Sequence, residues 1–155
     1  MNDGEGEGLT ILMADDDPDD RLLARRALEK HGLAGALRTV EDGEELMDYL
    51  HRRGPYADPA LSPRPALVLL DLNMPRKDGR EALAEMKGDP ALRQIPVVVL
   101  TTSRSEEEIF RSYDLGANSY VTKPVTFDGL VEVMGALGIY WLRTVSLPTD
   151  PPPAP

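Results

Sequence analysis

The chain has 155 residues, a formal net charge of −10 and no cysteine. This length suits one domain with its own core. The acidity argues against direct binding of nucleic acid, and the lack of cysteine excludes disulfides and thiol chemistry. No apolar run reaches the roughly 18 residues of a membrane helix, so we expect no membrane segment. Residues 1–8 are rich in Gly and Glu and do not resemble a signal peptide. We therefore expect a disordered N-terminus and a cytoplasmic protein.

Apolar runs and helix-start signals alternate along the chain. Asp17 and Pro18 form an N-cap and a first helical residue. The spacing of Asp42 and Glu45, and of Ser105 and Glu108, is that of capping boxes. Strands are predicted at 9–14, 37–40, 67–70, 97–100 and 119–122, and helices at about 18–31, 43–54, 79–88, 106–113 and 127–141. Five alternating strand–helix units predict a doubly wound α/β fold with a parallel sheet and helices on both faces.

Polar side chains follow four of the predicted strands. Asp15 and Asp16 come directly after strand 1, Asp71 after strand 3, Thr101 after strand 4 and Lys123 after strand 5. The carboxyl ends of parallel strands share one edge of a sheet, where α/β folds bind their ligands. Taken singly, the aspartates could be a charged helix start, Lys123 an exposed lysine and Thr101 an ordinary strand end. Their joint placement favours a common site.

The residue types at this edge suit phosphoryl chemistry. Clustered carboxylates repel one another, and oxygen ligands without Cys or His suit Mg²⁺. Lys123 can neutralise one phosphoryl oxygen, and Thr101 can donate a hydrogen bond to another. Asp71, at the centre, is the candidate nucleophile that would form an aspartyl phosphate.

These residues resemble the receiver domains of response regulators in two-component signalling. The resemblance covers residues 9–142 and is carried by Asp15-Asp16, the run Leu-Asp-Leu-Asn-Met-Pro at 70–75, Asp78-Gly79, Thr101 and the segment 120–124. It implies a flavodoxin-like (βα)5 sheet of order 2-1-3-4-5. It also implies a signalling protein that catalyses only its own phosphotransfer and dephosphorylation.

The resemblance assigns a role to each matching position. Asp71 would be the phospho-acceptor, Asp16 a direct Mg²⁺ ligand, and Asp15 a ligand mostly through water. Asn73 would offer its backbone carbonyl to the metal. Thr101 and Tyr120 would form the switch pair. Lys123 would contact the phosphoryl group and precede a cis peptide bond to Pro124.

A narrower resemblance points to the single-domain regulators paired with phytochrome histidine kinases. It is carried by residues 54–56, 73–81, 93–103 and 140–142. The implied partner is a sensor histidine kinase, a bacteriophytochrome if the narrower resemblance holds. Residues 143–155, a predicted C-terminal arm and Pro-rich tail, are too few for a DNA-binding module. The output would be protein contacts, and both a regulated adaptor and a phosphate sink or shuttle stay open.

Two enzyme or cofactor classes compete with this interpretation. Haloacid-dehalogenase-like phosphatases also use an Asp nucleophile with Mg²⁺, but need a second Asp where this chain has Asn73. A flavin mononucleotide module would need a Ser/Thr/Gly-rich phosphate loop where strand 1 is followed by aspartates.

The C-terminal end of the last helix is more apolar than one buried stripe requires. These residues either cover the domain's own flank or form a homodimer interface, and the family resemblance favours the homodimer. The predicted interface residues are Tyr140, Trp141, Leu142, Val145 and Leu147.

Overall fold

The structure, a computed structural model, describes residues 8–148. The predicted disorder at residues 1–7 and the end of the predicted tail, residues 149–155, lie outside the described residues. Within the described part of the chain, no helix is long and apolar enough to cross a membrane.

Five parallel strands form one sheet in the order β2-β1-β3-β4-β5, which confirms the predicted fold. The strands are β1 (Ile11–Ala14), β2 (Leu37–Val40), β3 (Leu67–Leu70), β4 (Val97–Thr101) and β5 (Ser119–Thr122). Every residue of β1, β3 and β4 is buried, as expected for central strands covered on both faces.

Five helices follow the strands, as predicted. They are α1 (Pro18–Glu29), α2 (Gly43–His51), α3 (Gly79–Gly88), α4 (Glu106–Asp114) and α5 (Phe127–Ile139). Short 3-10 turns lie at Ala34–Ala36 and Gly54–Tyr56. Helices α1 and α2 end two or three residues earlier than predicted, near the glycines at 32 and 54, which adopt positive φ.

Both predicted capping boxes form only in part. The side chains of Asp42 and Ser105 accept from the N–H groups of Glu45 and Glu108 as expected. The two glutamates do not complete the motif. Glu45 accepts from the backbone of the residue before the cap, and Glu108 pairs with Arg80 of α3. The prediction is wrong for these glutamates because closer donors compete for their carboxylates.

Two apolar clusters fill the two faces of the sheet. One joins α2 and α3 to the sheet through residues such as Leu46, Leu83 and Met86. The other joins α1 and α5 to the opposite face through residues such as Leu28, Leu130 and Met134. The two clusters thus cover both faces of the sheet, and the carboxyl ends of its parallel strands lie at one edge.

The chain continues past α5 in a π-helical turn, Tyr140–Thr144. Leu142 is only 3% exposed and belongs to the α1–α5 core cluster. The prediction that Leu142 lies in a dimer interface is therefore wrong. The π-helical turn after α5 directs its side chain into the core of the domain. Tyr140 remains 52% exposed and makes an edge-to-face contact with Trp141.

Candidate functional site

The sheet ladder brings two of the predicted aspartates side by side. Ala14 and Leu70 are register partners in β1 and β3, so the residues that follow them are neighbours. The N–H of Asp71 donates to the Ala14 carbonyl at 3.0 Å, and the N–H of Asp15 donates to Val40 at 3.1 Å. The backbone hydrogen bonds of the sheet therefore fix the Cα positions of Asp15 and Asp71, from which both carboxylates extend.

Three carboxylates meet at this edge. Ligand oxygens of Asp15, Asp16 and Asp71 lie within 4.8 Å of one another. Asp15 and Asp71 are buried, and Asp16 is exposed. In both buried residues one oxygen accepts an N–H two residues on, from Asp17 at 2.9 Å and from Asn73 at 3.2 Å. These local bonds orient the two carboxylates, and the second oxygen of each faces the Lys123 ammonium.

Lys123 supplies the positive charge inside the cluster. Its Nζ lies 2.6 Å from Asp15, 2.8 Å from Asp20 and 3.3 Å from Asp71. Burial alone would lower the pKa of the lysine. Hydrogen bonds to Asp15 and Asp20, with the charge of Asp71, outweigh burial and raise the pKa above its usual range. The ammonium is therefore held fully protonated among three carboxylates.

The donor set fits a hard divalent cation. Burial raises the pKa of Asp15, although the Lys123 hydrogen bond acts in the opposite direction. A single ammonium balances a cluster that contains Asp16 and Asp20 as well as Asp15 and Asp71, so the site retains excess negative charge. Grouped carboxylate oxygens are the ligands that Mg²⁺ or Mn²⁺ prefers.

Thr101 ends β4 at the same edge and is fully buried. Within the described residues, its hydroxyl oxygen has no hydrogen-bond partner. A buried hydroxyl without a partner costs free energy, so this position favours a hydrogen-bond acceptor beside the Thr101 hydroxyl. A phosphoryl oxygen on Asp71 would be such a partner.

Tyr120 lies on β5, beside β4, and contacts the loop that follows Thr101. Its hydroxyl donates to the Ser103 carbonyl at 2.9 Å. Its backbone N–H, on the sheet edge, donates to the hydroxyl of Tyr113 in α4 at 3.2 Å. The predicted switch residue therefore connects β5 to both the β4–α4 loop and α4.

The loop between β3 and α3 is held tightly against Asp71. A Cβ on Gly79 would lie 2.2 Å from the Asp71 carbonyl oxygen, so only glycine fits there. Asp78 and Glu81 form a complete capping box at the start of α3. Arg80 donates to the Leu72 carbonyl at 3.4 Å and pairs with Glu108 of α4.

The Lys123–Pro124 peptide bond is trans, as are the other peptide bonds of residues 8–148. The prediction of a cis bond is wrong for this structure. The trans form of an X-Pro bond is the lower in energy by about 0.5–1 kcal/mol, and with it Lys123 already reaches all its carboxylate partners.

These strand-end residues place three carboxylates, a lysine ammonium and a threonine hydroxyl at one edge of a doubly wound sheet. The chain belongs to the response regulator receiver domain family, whose model matches residues 11–134. Among curated proteins, it is 41% identical over 148 residues to the response regulator Rcp1 of Synechocystis sp. The match covers 96% of this chain and 99% of that protein.

Solved structures of response regulators are also similar to this chain. The phosphorylated cyanobacterial phytochrome response regulator RcpA is 45% identical, with a TM-score of 0.84 over 91% of this chain and 99% of RcpA. The Mn²⁺-bound form of Rcp1 has a TM-score of 0.81 at 41% identity, covering 91% of this chain and 99% of that one. The regulator RPA3017, in red light signaling of R. palustris, has a TM-score of 0.85 at 39% identity, covering 92% and 99%. These similar proteins thus include a phytochrome response regulator, RcpA, and a regulator in red light signaling, RPA3017.

The structure brings together most residues that the sequence singled out. The side chains of Asp15, Asp16, Asp71 and Lys123 form one cluster at the carboxyl edge of the sheet. Asn73 lies beside Asp71 and contacts it through its N–H, and a role for its carbonyl stays a prediction. Asp20 was missed, because an acidic residue in the first turn of a helix is fully explained by the helix dipole.

Proposed function

We propose that this protein is a single-domain response regulator that accepts a phosphoryl group on Asp71 from a sensor histidine kinase. The observation that carries the proposal is the position of Asp71, a buried carboxylate grouped with Asp15 and Asp16 and 3.3 Å from the Lys123 ammonium. The kinase is proposed to be a phytochrome, because RcpA is a phytochrome response regulator and RPA3017 acts in red light signaling. The reaction would take place in the cytoplasm.

The transfer is a single displacement at phosphorus. An Asp71 carboxylate oxygen forms a bond to the phosphorus of the donor phosphohistidine. The P–N bond breaks, and its electron pair stays on the imidazole, which is then protonated. Lys123 neutralises charge on the transferred oxygens. The raised pKa keeps its ammonium charged at any physiological pH.

Asp15, Asp16 and Asp71, with the carbonyl of Asn73, are the residues that would hold Mg²⁺. When bound, the cation would balance the negative charge of the carboxylates and the incoming phosphoryl group. The Mn²⁺-bound form of Rcp1 supports a divalent cation at such a site.

The proposed output is a change of protein contacts near α4 and β5. A phosphoryl oxygen would accept the hydrogen bond that the Thr101 hydroxyl lacks. Drawing Thr101 towards Asp71 would open space beside Tyr120, whose hydroxyl is held by the β4–α4 loop. The result would be a shift between two populations that differ on this face.

Homodimerisation is proposed through the end of the chain. Tyr140 is 52% exposed, and Trp141, Val145 and Leu147 are partly exposed beside it. Sedimentation equilibrium at micromolar protein should give a dimer, and Tyr140→Ser should weaken it. A monomer in both phosphorylation states would contradict this part of the proposal.

Intact mass after incubation with Mg²⁺ and acetyl phosphate tests the central step. The expected result is one phosphoryl adduct that needs the cation and is absent in Asp71→Asn. Asp78→Asn is the matched control, because it removes a nearby carboxylate while keeping a residue suited to the N-cap of α3. An adduct retained by Asp71→Asn, or lost in the control alone, would refute Asp71 as the acceptor.

A further inference from the structure

Asp20 is a fourth carboxylate next to the cluster of Asp15, Asp16, Asp71 and Lys123, and the proposed phosphotransfer does not use it. It lies in the first turn of α1, with 31% of its side chain exposed. Its Oδ2 lies 2.8 Å from Lys123 Nζ, so it connects α1 to the loop after β5. It also lines a cavity of about 170 Å³ between α1 and that loop.

The contacts of Lys123 show a competition among acceptors. A lysine ammonium has three N–H donors, and here they face Asp15, Asp20 and Asp71. The two shorter distances, 2.6 and 2.8 Å, lead to Asp15 and Asp20, and the longest, 3.3 Å, leads to Asp71. The ammonium thus lies closer to Asp15 and Asp20 than to Asp71, the residue where the phosphoryl group would arrive.

We propose that Asp20 is a positioning residue that holds Lys123 in a resting place and slows phosphoryl acceptance at Asp71. The inference rests on the proposed function of Asp71 and deepens it. For Lys123 to reach a phosphoryl oxygen in the transition state, its bond to Asp20 must lengthen or break. This bond therefore stabilises the free protein relative to the transition state.

The test is the rate of phosphorylation of Asp20→Asn by acetyl phosphate with saturating Mg²⁺. Asparagine keeps the shape and an acceptor oxygen but removes the charge, so Lys123 is released towards Asp71. We expect phosphorylation about threefold to fivefold faster than in the parent protein. The half-life of the phosphorylated form should change less than twofold, because Lys123 already contacts the phosphoryl group in that state. Asp20→Glu, which keeps the charge, should return the rate towards that of the parent.

Asp19→Asn is the matched control. Asp19 lies in the same turn of α1 and carries the same charge, and its side chain makes no hydrogen bond or ion pair with the described residues. General repulsion of an anionic donor would be relieved in both variants, and in both the relief would fade with added salt. Release of Lys123 should appear only in Asp20→Asn and should persist at high salt.

A second readout needs neither cation nor phosphodonor. In metal-free protein, reductive methylation followed by peptide mass analysis reports the freedom of each lysine ammonium. Lys123 should react about twofold faster in Asp20→Asn than in Asp19→Asn, because one charge-assisted bond is lost. The lysines at 30, 77 and 87 should react equally in both.

The outcomes separate the two proposals. An adduct in the parent with equal rates in Asp20→Asn and Asp19→Asn, or a slower rate in Asp20→Asn, would overturn the role of Asp20 while leaving Asp71 as acceptor. Absence of any adduct in the parent would overturn the proposed function, and the role of Asp20 with it.

Discussion

Gly79→Ala tests how closely the start of α3 supports the acceptor residue. A methyl group at this position would lie 2.2 Å from the Asp71 carbonyl oxygen and 2.7 Å from the Leu72 Cα. Both are backbone atoms of the segment that carries the proposed acceptor. They cannot turn aside as the end of a flexible side chain would, so the segment or the helix must shift.

The expected change in the free energy of unfolding for Gly79→Ala follows from two opposing effects. Replacing glycine by alanine in a helix ordinarily gains about 0.5–1 kcal/mol. Overpacking a filled site costs about 1–3 kcal/mol, and contacts with backbone favour the upper part of that range. We expect a net loss of about 1–2 kcal/mol in the free energy of unfolding. Phosphorylation of Asp71 should slow by about tenfold or more, because small displacements at a reacting centre have large effects on rate.

Gly88→Ala provides the control within the same helix. Gly88 is the last residue of α3, and an added Cβ there meets nothing within 4 Å. Urea unfolding at pH 7 should show unchanged or slightly raised stability for this variant, and acetyl phosphate should label it at the parent rate. Equal stability and equal labelling of the two variants would refute the close packing of Gly79 against Asp71.

Three further changes test contacts around the site and the core. A Cβ on Gly135 would lie 2.3 Å from His31 Nε2, so Gly135→Ala should lower the free energy of unfolding by about 1–2 kcal/mol. In a His31→Ala background it should instead raise it by about 0.5–1 kcal/mol, and the same sign in both backgrounds in urea unfolding would contradict the contact. Arg80→Met removes the ion pair with Glu108 and should speed hydrogen exchange in the first turn of α4 but not in α1, as mass spectrometry can measure. Tyr56→Phe removes a hydrogen bond to a carboxylate oxygen at 2.5 Å and should cost about 1 kcal/mol in urea unfolding, whereas a neutral result would mean that water replaces it.

The sequence was sufficient for the fold and for most of the site. Asp15, Asp16, Asp71 and Lys123 each come directly after a predicted strand, so a parallel sheet left a single edge for all of them. Register then needed no further information, because parallel neighbours that end together place their next residues together. This part of the prediction depends only on periodicity and chain order.

Contacts between elements that are distant in sequence could not be predicted from the sequence. Asp20 and Lys123 are 103 residues apart, and their contact depends on how α1 packs beside the loop after β5. Leu142 has the same apolar character as its neighbours, and only the π-helical turn decides that it faces the core. The local sequence already accounts for Asp20 as a helix-start residue and for Leu142 as an apolar helical residue. It therefore contains no sign of their distant contacts.

The contacts around the start of α4 offer a physical connection between Asp71 and the surface formed by α4 and β5. Glu108, which the local pattern assigned to its own helix, instead binds Arg80 at the start of α3. On the other side, Tyr120 of β5 donates to Ser103 in the β4–α4 loop. The first turn of α4 and the loop before it are thus held by two side-chain contacts, one from α3 and one from β5. A change at Asp71 that draws in the end of β4 would act on this segment between its two supports. Loss of Arg80 alone should therefore loosen α4 while leaving the Tyr120 contact in place.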